Sequence, residues 1–326
     1  MKKRFTVLDL FCGAGGLSTG FIAEDFDVVL GIDNNKKAIS TFSKNHPKSK
    51  VICGDMREIS GKEILKETRL KTIDVIVGGP PCQGFSMAGK RQPNDPRNSL
   101  FREYLRIVRE LKPKVFIMEN VRGLLSMKDE DGKKVIDIIL NEFSKIKDYK
   151  IELHIVNTAD YGIPQRRKRI FVIGVKNNYV LEFPKATHSK NGEKNLKKWN
   201  GIGEILIEKE KVPNKYFYSR KLINGFKRRE KINEQKGVGF GWQFNKLDQP
   251  SYTISARYWK DGAESLIKYG ERDIRMMTPK ECALIQSFPE DYQFEGGEKD
   301  VYVQIGNAVP PKMAQAIAKS IKKTIC

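Results

Sequence analysis

The residues best suited to chemistry lie in the stretch Gly78-Gly79-Pro80-Pro81-Cys82-Gln83-Gly84-Phe85-Ser86. It follows an apolar, β-branched run, residues 73–77, that reads as a buried strand. Two glycines let the chain turn sharply and two prolines stiffen it. Cys82 then sits on a rigid loop at a strand end, where an α/β enzyme places a nucleophile. The same thiol could equally be a small buried hydrophobe in an ordinary turn. Other groups bear on that choice. Glu119 ends the next apolar run, residues 115–118, and could face the same substrate. A carboxylate beside a thiol disfavours the thiolate. The pairing therefore makes sense if Glu119 handles a proton on the substrate. Gln165-Arg166-Arg167-Lys168-Arg169 supplies fixed cations that would favour an ionised Cys82, or is generic charge before a strand.

A second constellation surrounds Cys12-Gly13-Ala14-Gly15-Gly16, a glycine turn after a strand at residues 5–11. Asp33, which ends the next strand, stands 20 positions after Gly13 and is placed to bind ribose hydroxyls. The Gly-x-Gly-Gly spacing is not GxGxxG, so it indicates an adenosine-containing ligand without a dinucleotide fingerprint. Asp55 could accept from an adenine amino group, or cap a strand end.

These residues need a common scaffold. Strands are expected at residues 5–11, 28–32, 51–53, 73–77, 115–118, 151–156 and 170–175. Helices are expected from residue 17 or 18, at 36–44, 99–111 and 133–146, with a capping box from Thr278 to Glu281 opening a helix over 278–288 and a last helix at 313–322. Alternating strands and helices imply a doubly wound, mostly parallel α/β sheet, whose ligands bind beyond the carboxyl ends of the strands. Five candidate positions fall on that rim: the glycine turn, Asp33, Asp55, Cys82 and Glu119.

Composition adds a partner. The net charge is +20 over 326 residues. Residues 185–236 hold 15 Lys or Arg against 6 Glu, nearly half of the excess. Trp242, Tyr252, Tyr258 and Trp259 follow among glycines and polar residues. This mixture suits a nucleic-acid-reading module, against the plainer alternative of a solvated linker with a small β core. The five cysteines are dispersed and the three histidines scattered, so no metal site is expected. No window approaches membrane-spanning length, and Asp9 interrupts the apolar run after the basic start. A cytoplasmic protein is expected.

Taken together, these segments resemble the cytosine-C5 DNA methyltransferase family of the prokaryotic restriction-modification type. Residues 8–21 look like its first motif and residues 78–86 its Pro-Cys motif. Glu119-Asn120-Val121 is similar to its Glu-Asn-Val motif, and Gln165 to Arg169 to its Gln-x-Arg-x-Arg. Residues 275–289 and Gly306-Asn307-Ala308-Val309-Pro310-Pro311 are similar to its last two motifs. Six segments in the family's order is a specific signal. The resemblance implies the S-adenosylmethionine-dependent methyltransferase fold, with residues 1–184 catalytic, 185–270 a target recognition domain and 271–326 a return segment. It implies S-adenosyl-L-methionine as cofactor and a cytosine flipped from double-stranded DNA as substrate. Cys82 would add to C6, Glu119 would protonate N3, and Arg167 and Arg169 would hold the adduct. Phe11 would stack on adenine, Asp33 would bind ribose and Asp55 the adenine amino group. Gly13, Ala14, Gly15, Gly16, Leu17, Asn34, Met56, Pro80 and Leu100 would line the cofactor, completed by Asn307 and Ala308. Ser86, Arg97, Gln165 and Thr253 would touch DNA, with residues 86–100 as a closing loop. A cognate restriction endonuclease is implied as a functional partner, and a monomer as the working form. The recognition region is short for the family. Only residues 249–254 in it look familiar, so the bases read stay open. A tRNA-methylating relative or a catalytically silent DNA-binding protein would share the fold.

Overall fold

The structure is a computed structural model describing residues 4–81, 100–129, 131–237, 242–271 and 273–326. Cys82, Ser86 and Arg97 lie outside the described residues. The chain divides into two compact units: residues 1–156, 168–185 and 313–326 form one, and residues 157–167 and 186–312 the other. Packing thus groups residues 271–312 with 186–270, and only residues 313–326 return to the first unit. Among the described residues, no helix is long and apolar enough to cross a membrane.

The first unit is built on a seven-stranded sheet. Its strands are β1 (Thr6–Leu10), β2 (Asp27–Asp33), β3 (Lys50–Cys53), β4 (Val75–Gly78), β5 (Val115–Val121), β6 (Tyr149–Asn157) and β7 (Lys168–Lys176), in the order β3-β2-β1-β4-β5-β7-β6. Pairing from β3 through β5 is parallel, and β7 lies antiparallel to β5. The sheet is therefore mixed and mostly parallel. Helices α1 (Gly16–Ile22), α2 (Lys36–Asn45), α3 (Gly61–Thr68), α4 (Leu100–Leu111) and α5 (Val135–Ser144) connect the strands. All five residues of β1 are buried, as a strand covered on both faces requires. Its Leu8 and Leu10 join Ile76, Phe116, Tyr104 and Phe143 in one core. Each fully buried aliphatic side chain of this kind contributes about 1.5–3 kcal/mol.

Some boundaries move for local reasons. β4 starts at Val75 rather than at residue 73, because Asp74 serves as an acceptor: its Oδ2 takes the Thr6 N–H and hydroxyl, and its Oδ1 pairs with Lys114. β5 runs on through Glu119 and Asn120, because β7 pairs with it as far as Val121 opposite Arg169. Glu119 is therefore a strand residue rather than one that follows a strand. Helix α3 escapes the sequence reading although Ser60 and Glu63 form a full capping box ahead of it. Its short run offers only Ile64 as a fully buried apolar anchor.

The second unit has little regular sheet. Two-residue strands β8 (His188–Ser189) and β9 (Lys197–Lys198) pair in parallel, and β10 (Ile267–Lys268) and β11 (Ile274–Arg275) antiparallel. Its helices are α6 (Arg220–Lys236), α7 (Pro279–Ile285) and α8 (Glu298–Asn307). The capping box expected at Thr278 and Glu281 opens α7. A final helix, α9 (Pro311–Ile325), is tied to the end of α1 by Gln315 to Glu24 and Lys322 to Asp25.

Candidate active site

The glycine turn is shaped by backbone that favours glycine. Gly13 has φ 53° and Gly15, the residue before α1, φ 87°. Phe11 has φ 58° despite its side chain, a conformation uncommon for bulky residues and concentrated at functional sites. The turn is fastened to β2: Asp33 Oδ2 accepts from the Gly13 N–H at 2.9 Å, and its Oδ1 from the Asn35 N–H at 2.8 Å. Burial raises the Asp33 carboxyl above its ordinary value. Ala14, Gly16 and Leu17 are buried, while Asn34 is exposed.

Beneath this turn lies a residue the sequence reading used only as an interruption. Asp9 is completely buried in β1. The Ser18 hydroxyl donates to its Oδ2 at 2.6 Å, and Oδ1 has no hydrogen-bond partner among the described residues. Burial first, and the nearby Asp33 charge in addition, push its carboxyl up to about 7.

Asp55 follows β3. The Arg57 side chain engages both its oxygens and holds the carboxyl down at about 2. Met56 beside it is buried, and its carbonyl accepts from Arg106 of α4 at 2.7 Å, as does that of Ile59 at 2.9 Å. Glu103 and Glu110 orient Arg106 through its other nitrogens. Leu100 opens α4 and is half-buried.

The turn after β4 and the end of β5 form the centre of the rim. Gly78 allows close packing, since a Cβ there would stand 2.4 Å from the Leu10 carbonyl oxygen. Gly79 leaves room for Glu119, whose Oε2 would lie 3.2 Å from an added Cβ. Asn120 Nδ2 donates to the Pro80 carbonyl at 3.0 Å, pinning the turn two residues before Cys82. The Tyr104 hydroxyl reaches the carbonyls of Ile117 at 2.7 Å and Ile76 at 3.2 Å, clipping β4 to β5. Arg169, across from β5 on β7, brings Nε to 2.9 Å from Glu119 Oε1. Both side chains are almost wholly shielded. Burial lowers the Arg169 guanidinium from its ordinary value, and Glu119 opposes that shift.

The second unit places its expected residues differently. Gln165 is fully buried. Its Oε1 accepts from the Ile254 N–H at 3.1 Å and its Nε2 donates to Gln286 Oε1 at 2.5 Å. Gln286 passes the contact on to the Ala308 carbonyl at 2.6 Å. Arg167 is 1% exposed and donates to the carbonyls of Ile254 and Gly306, at 3.1 and 2.8 Å. The Thr253 hydroxyl donates to the Arg166 carbonyl at 2.8 Å. Through these bonds the three side chains hold residues 251–255 and 306–308 in place. Asn307 is exposed and Ala308 half-buried where α8 ends. A cavity of about 530 Å³ also lies within this unit, lined by Trp199, Asn200, Leu247, Asp248, Ser287 and Lys312. Among the described residues, none of those expected at the site lines it.

The glycine turn, the acids after β2 and β3, and the Glu119–Arg169 pair all belong to one sheet unit. Comparison with known proteins places that arrangement. The chain belongs to the C-5 cytosine-specific DNA methylase family, whose sequence model matches residues 5–323. It is a cytosine-C5 DNA methyltransferase. It is 33% identical to the Type II methyltransferase M1.HphI of Haemophilus parahaemolyticus, covering 98% of this chain and 87% of the relative. It is 35% identical to M.SsoII of Shigella sonnei, covering 99% and 81%. Among solved structures, the Entamoeba histolytica methyltransferase EhMeth has the same fold, with a TM-score of 0.74 at 23% identity over 99% of both chains.

Proposed function

We propose that this enzyme methylates a cytosine flipped from duplex DNA at a short fixed site, using S-adenosyl-L-methionine, and so protects DNA from a cognate restriction endonuclease. Relatives named as Type II methyltransferases support the last part. The carrying observation is the shielded Glu119–Arg169 pair beside a turn that Asn120 pins.

The residues present fit the cofactor. Asp33 accepts backbone N–H groups on both oxygens, and its four lone-pair sites leave room for a diol hydroxyl. An acidic side chain, Asp33, stands at the glycine turn where a dinucleotide site would present its pyrophosphate, which suits a cationic ligand better than a pyrophosphate. Phe11, Asp33 and Met56 would hold its adenosine, and the turn 13–17 its remaining part. Asp55 would contribute beyond its contact with Arg57. When bound, S-adenosyl-L-methionine supplies an electrophilic methyl group.

The chain's own residues must make C5 of cytosine nucleophilic. The Cys82 thiolate adds to C6, and Glu119 gives a proton to N3, so that the negative charge never accumulates on the ring. Arg169 stabilises the Glu119 carboxylate left behind and offers donors to the base oxygen. Arg167 serves instead to fasten the 306–308 turn. Once C5 carries the methyl group, its proton leaves to solvent, the Cys82–C6 bond breaks as the C5–C6 double bond reforms, and N3 returns its proton to Glu119. The target carbon is inaccessible in a stacked duplex, so the base leaves the helix first. One site acts on one base, so a monomer in the cytoplasm suffices.

The test incubates the protein with methyl-labelled cofactor and duplex DNA, with tRNA in parallel. Label at cytosine C5 of the duplex is expected, and Cys82→Ser is expected to abolish it. Full activity of Cys82→Ser, or label in tRNA alone, would overturn the reading.

A further inference from the structure

The second unit contains a charged feature that the chemistry above does not use. Helix α6 runs 17 residues, with Ser219 capping its start and Gly237 in the left-handed conformation at its end. Ile223 and Phe226 are buried, and Glu230 and Asn233 half-buried, so one face is anchored. That face packs on Leu266, Ile274, Trp242 and Phe244. The Phe226 and Trp242 rings stack at 5.5 Å, and Trp242 Nε1 donates to Glu230 Oε2 at 3.0 Å.

The opposite face carries Lys221, Asn224, Arg228, Lys231 and Gln235, all exposed. They follow one another at spacings of 3, 4, 3 and 4, a single outward ridge. The two acids of the helix are off it: Glu230 is turned into the anchor and Glu234 lies on a flank. Among the described residues, Lys221, Arg228 and Lys231 make no ion pair, whereas Lys227 on the flank pairs with Glu271. A solubilising surface mixes signs, and this ridge does not. At about 1.5 Å per residue, Lys221 to Gln235 spans about 21 Å. One DNA strand presents a phosphate roughly every 3.4 Å of axis, so several fall within reach.

We propose that the outer ridge of α6 is a phosphate-contacting surface for duplex DNA. It contributes affinity without reading sequence, because ammonium, guanidinium and amide donors meet backbone oxygens equally at every base pair. The aromatic anchor keeps the ridge rigid before DNA arrives, which lowers the entropy lost on binding. The inference rests on the DNA-methylating reading above.

The experiment measures equilibrium binding of the full chain to duplex DNA from 50 to 200 mM KCl. It compares the wild type with the triple variant Lys221→Gln, Arg228→Gln, Lys231→Gln. A control variant with the same charge change, Lys62→Gln, Lys66→Gln, Lys71→Gln, lies on the other unit. Losing three phosphate contacts is expected to lower the slope of log affinity against log salt by about 2.7. Over this fourfold salt range the wild type then loses about 40-fold more affinity than the ridge variant. The preference between methylated-site and unrelated DNA stays the same, and the control keeps the wild-type slope. An unchanged slope in the ridge variant would overturn the proposal, as would a changed site preference, which would make the ridge a reader of bases. Methyl transfer at saturating DNA, followed in parallel, keeps the two readings apart: transfer with an unchanged slope sinks the ridge alone, and a wild type that neither binds nor methylates DNA sinks both.

Discussion

The two units bury charge for different ends. In the sheet unit, the buried ionisable groups sit near strand ends where a ligand belongs: Asp9 keeps an oxygen without a hydrogen bond among the described residues, and Glu119, paired with Arg169, stands beside the turn that leads to Cys82. In the second unit, the buried Arg275–Glu281 pair is consumed locally, although Gln304 Oε1 and Arg166 Nε there also have no hydrogen-bond partner among the described residues. Arg275 donates to both oxygens of Glu281, to the Met276 carbonyl and to Tyr269. Glu281 also accepts the N–H groups of Ile207 and Thr278. Arg167 and Gln165 likewise close on main-chain groups and on Gln286. A regular sheet satisfies its own backbone, so its buried polar side chains are left for chemistry. An irregular chain must recruit side chains for that purpose. Buried charge alone therefore does not mark a site.

That contrast breaks most easily at Glu119. Glu119→Gln keeps the shape and an acceptor for Arg169 but removes the proton donor. A loss of 10²–10⁴ in kcat is expected, read by single-turnover methyl transfer well below the melting temperature. A kcat within a few fold of wild type would put Glu119 among the structural charges. Arg275→Met is the converse experiment. It strands Glu281 in a fully buried place, and a loss of about 3–5 kcal/mol in unfolding free energy is expected. The surviving folded protein should methylate with near-normal kcat. A selective loss of kcat without destabilisation would erase the distinction between the units.

Asp9 gives a smaller, pH-dependent test. Its folded carboxyl titrates at about 7 against an ordinary value of 3.8. The folded state thus holds a proton that the unfolded chain has already released. This group's contribution is complete below about pH 4, falls as pH rises towards 7 and is flat above. The total loss is about 4 kcal/mol. Asp9→Asn should match the wild type in urea unfolding near pH 4 and exceed it at pH 8, with far-UV circular dichroism as the probe. Equal stability of the two proteins at pH 8 would refute the assignment.

Legibility in the sequence followed the same divide. The strands and most helices of the sheet unit were readable because buried parallel strands are unbroken apolar runs, and the glycine turn, Asp33 and Glu119 stood at their ends. Asp9 was passed over because its meaning depends on burial on both faces of β1, which no local pattern encodes. In the second unit α6 went unread, since its anchored side offers only Ile223 and Phe226 to a periodicity search. The assignments of Gln165, Arg167 and Thr253 to ligands came from motif resemblance. Their hydrogen bonds run to residues 87 to 139 positions away in the chain, a pairing that spacing cannot supply.

Gln165 sets the finest test of the comparison. Its amide joins the Ile254 N–H to Gln286, and Gln286 holds the Ala308 carbonyl. Gln165→Met keeps the length and volume but leaves the Ile254 donor and the Gln286 acceptor unsatisfied in a dry interior. A cost of about 1–3 kcal/mol is expected. Gln165→Glu, which keeps an acceptor for Ile254, should recover part of it only at pH low enough for the carboxyl to stay protonated and donate to Gln286. DNA affinity measured on folded Gln165→Met should stay within a few fold of wild type. A drop in DNA affinity larger than the loss of stability accounts for would return Gln165 to the DNA-contacting residues and move the boundary between structural and functional burial into the second unit.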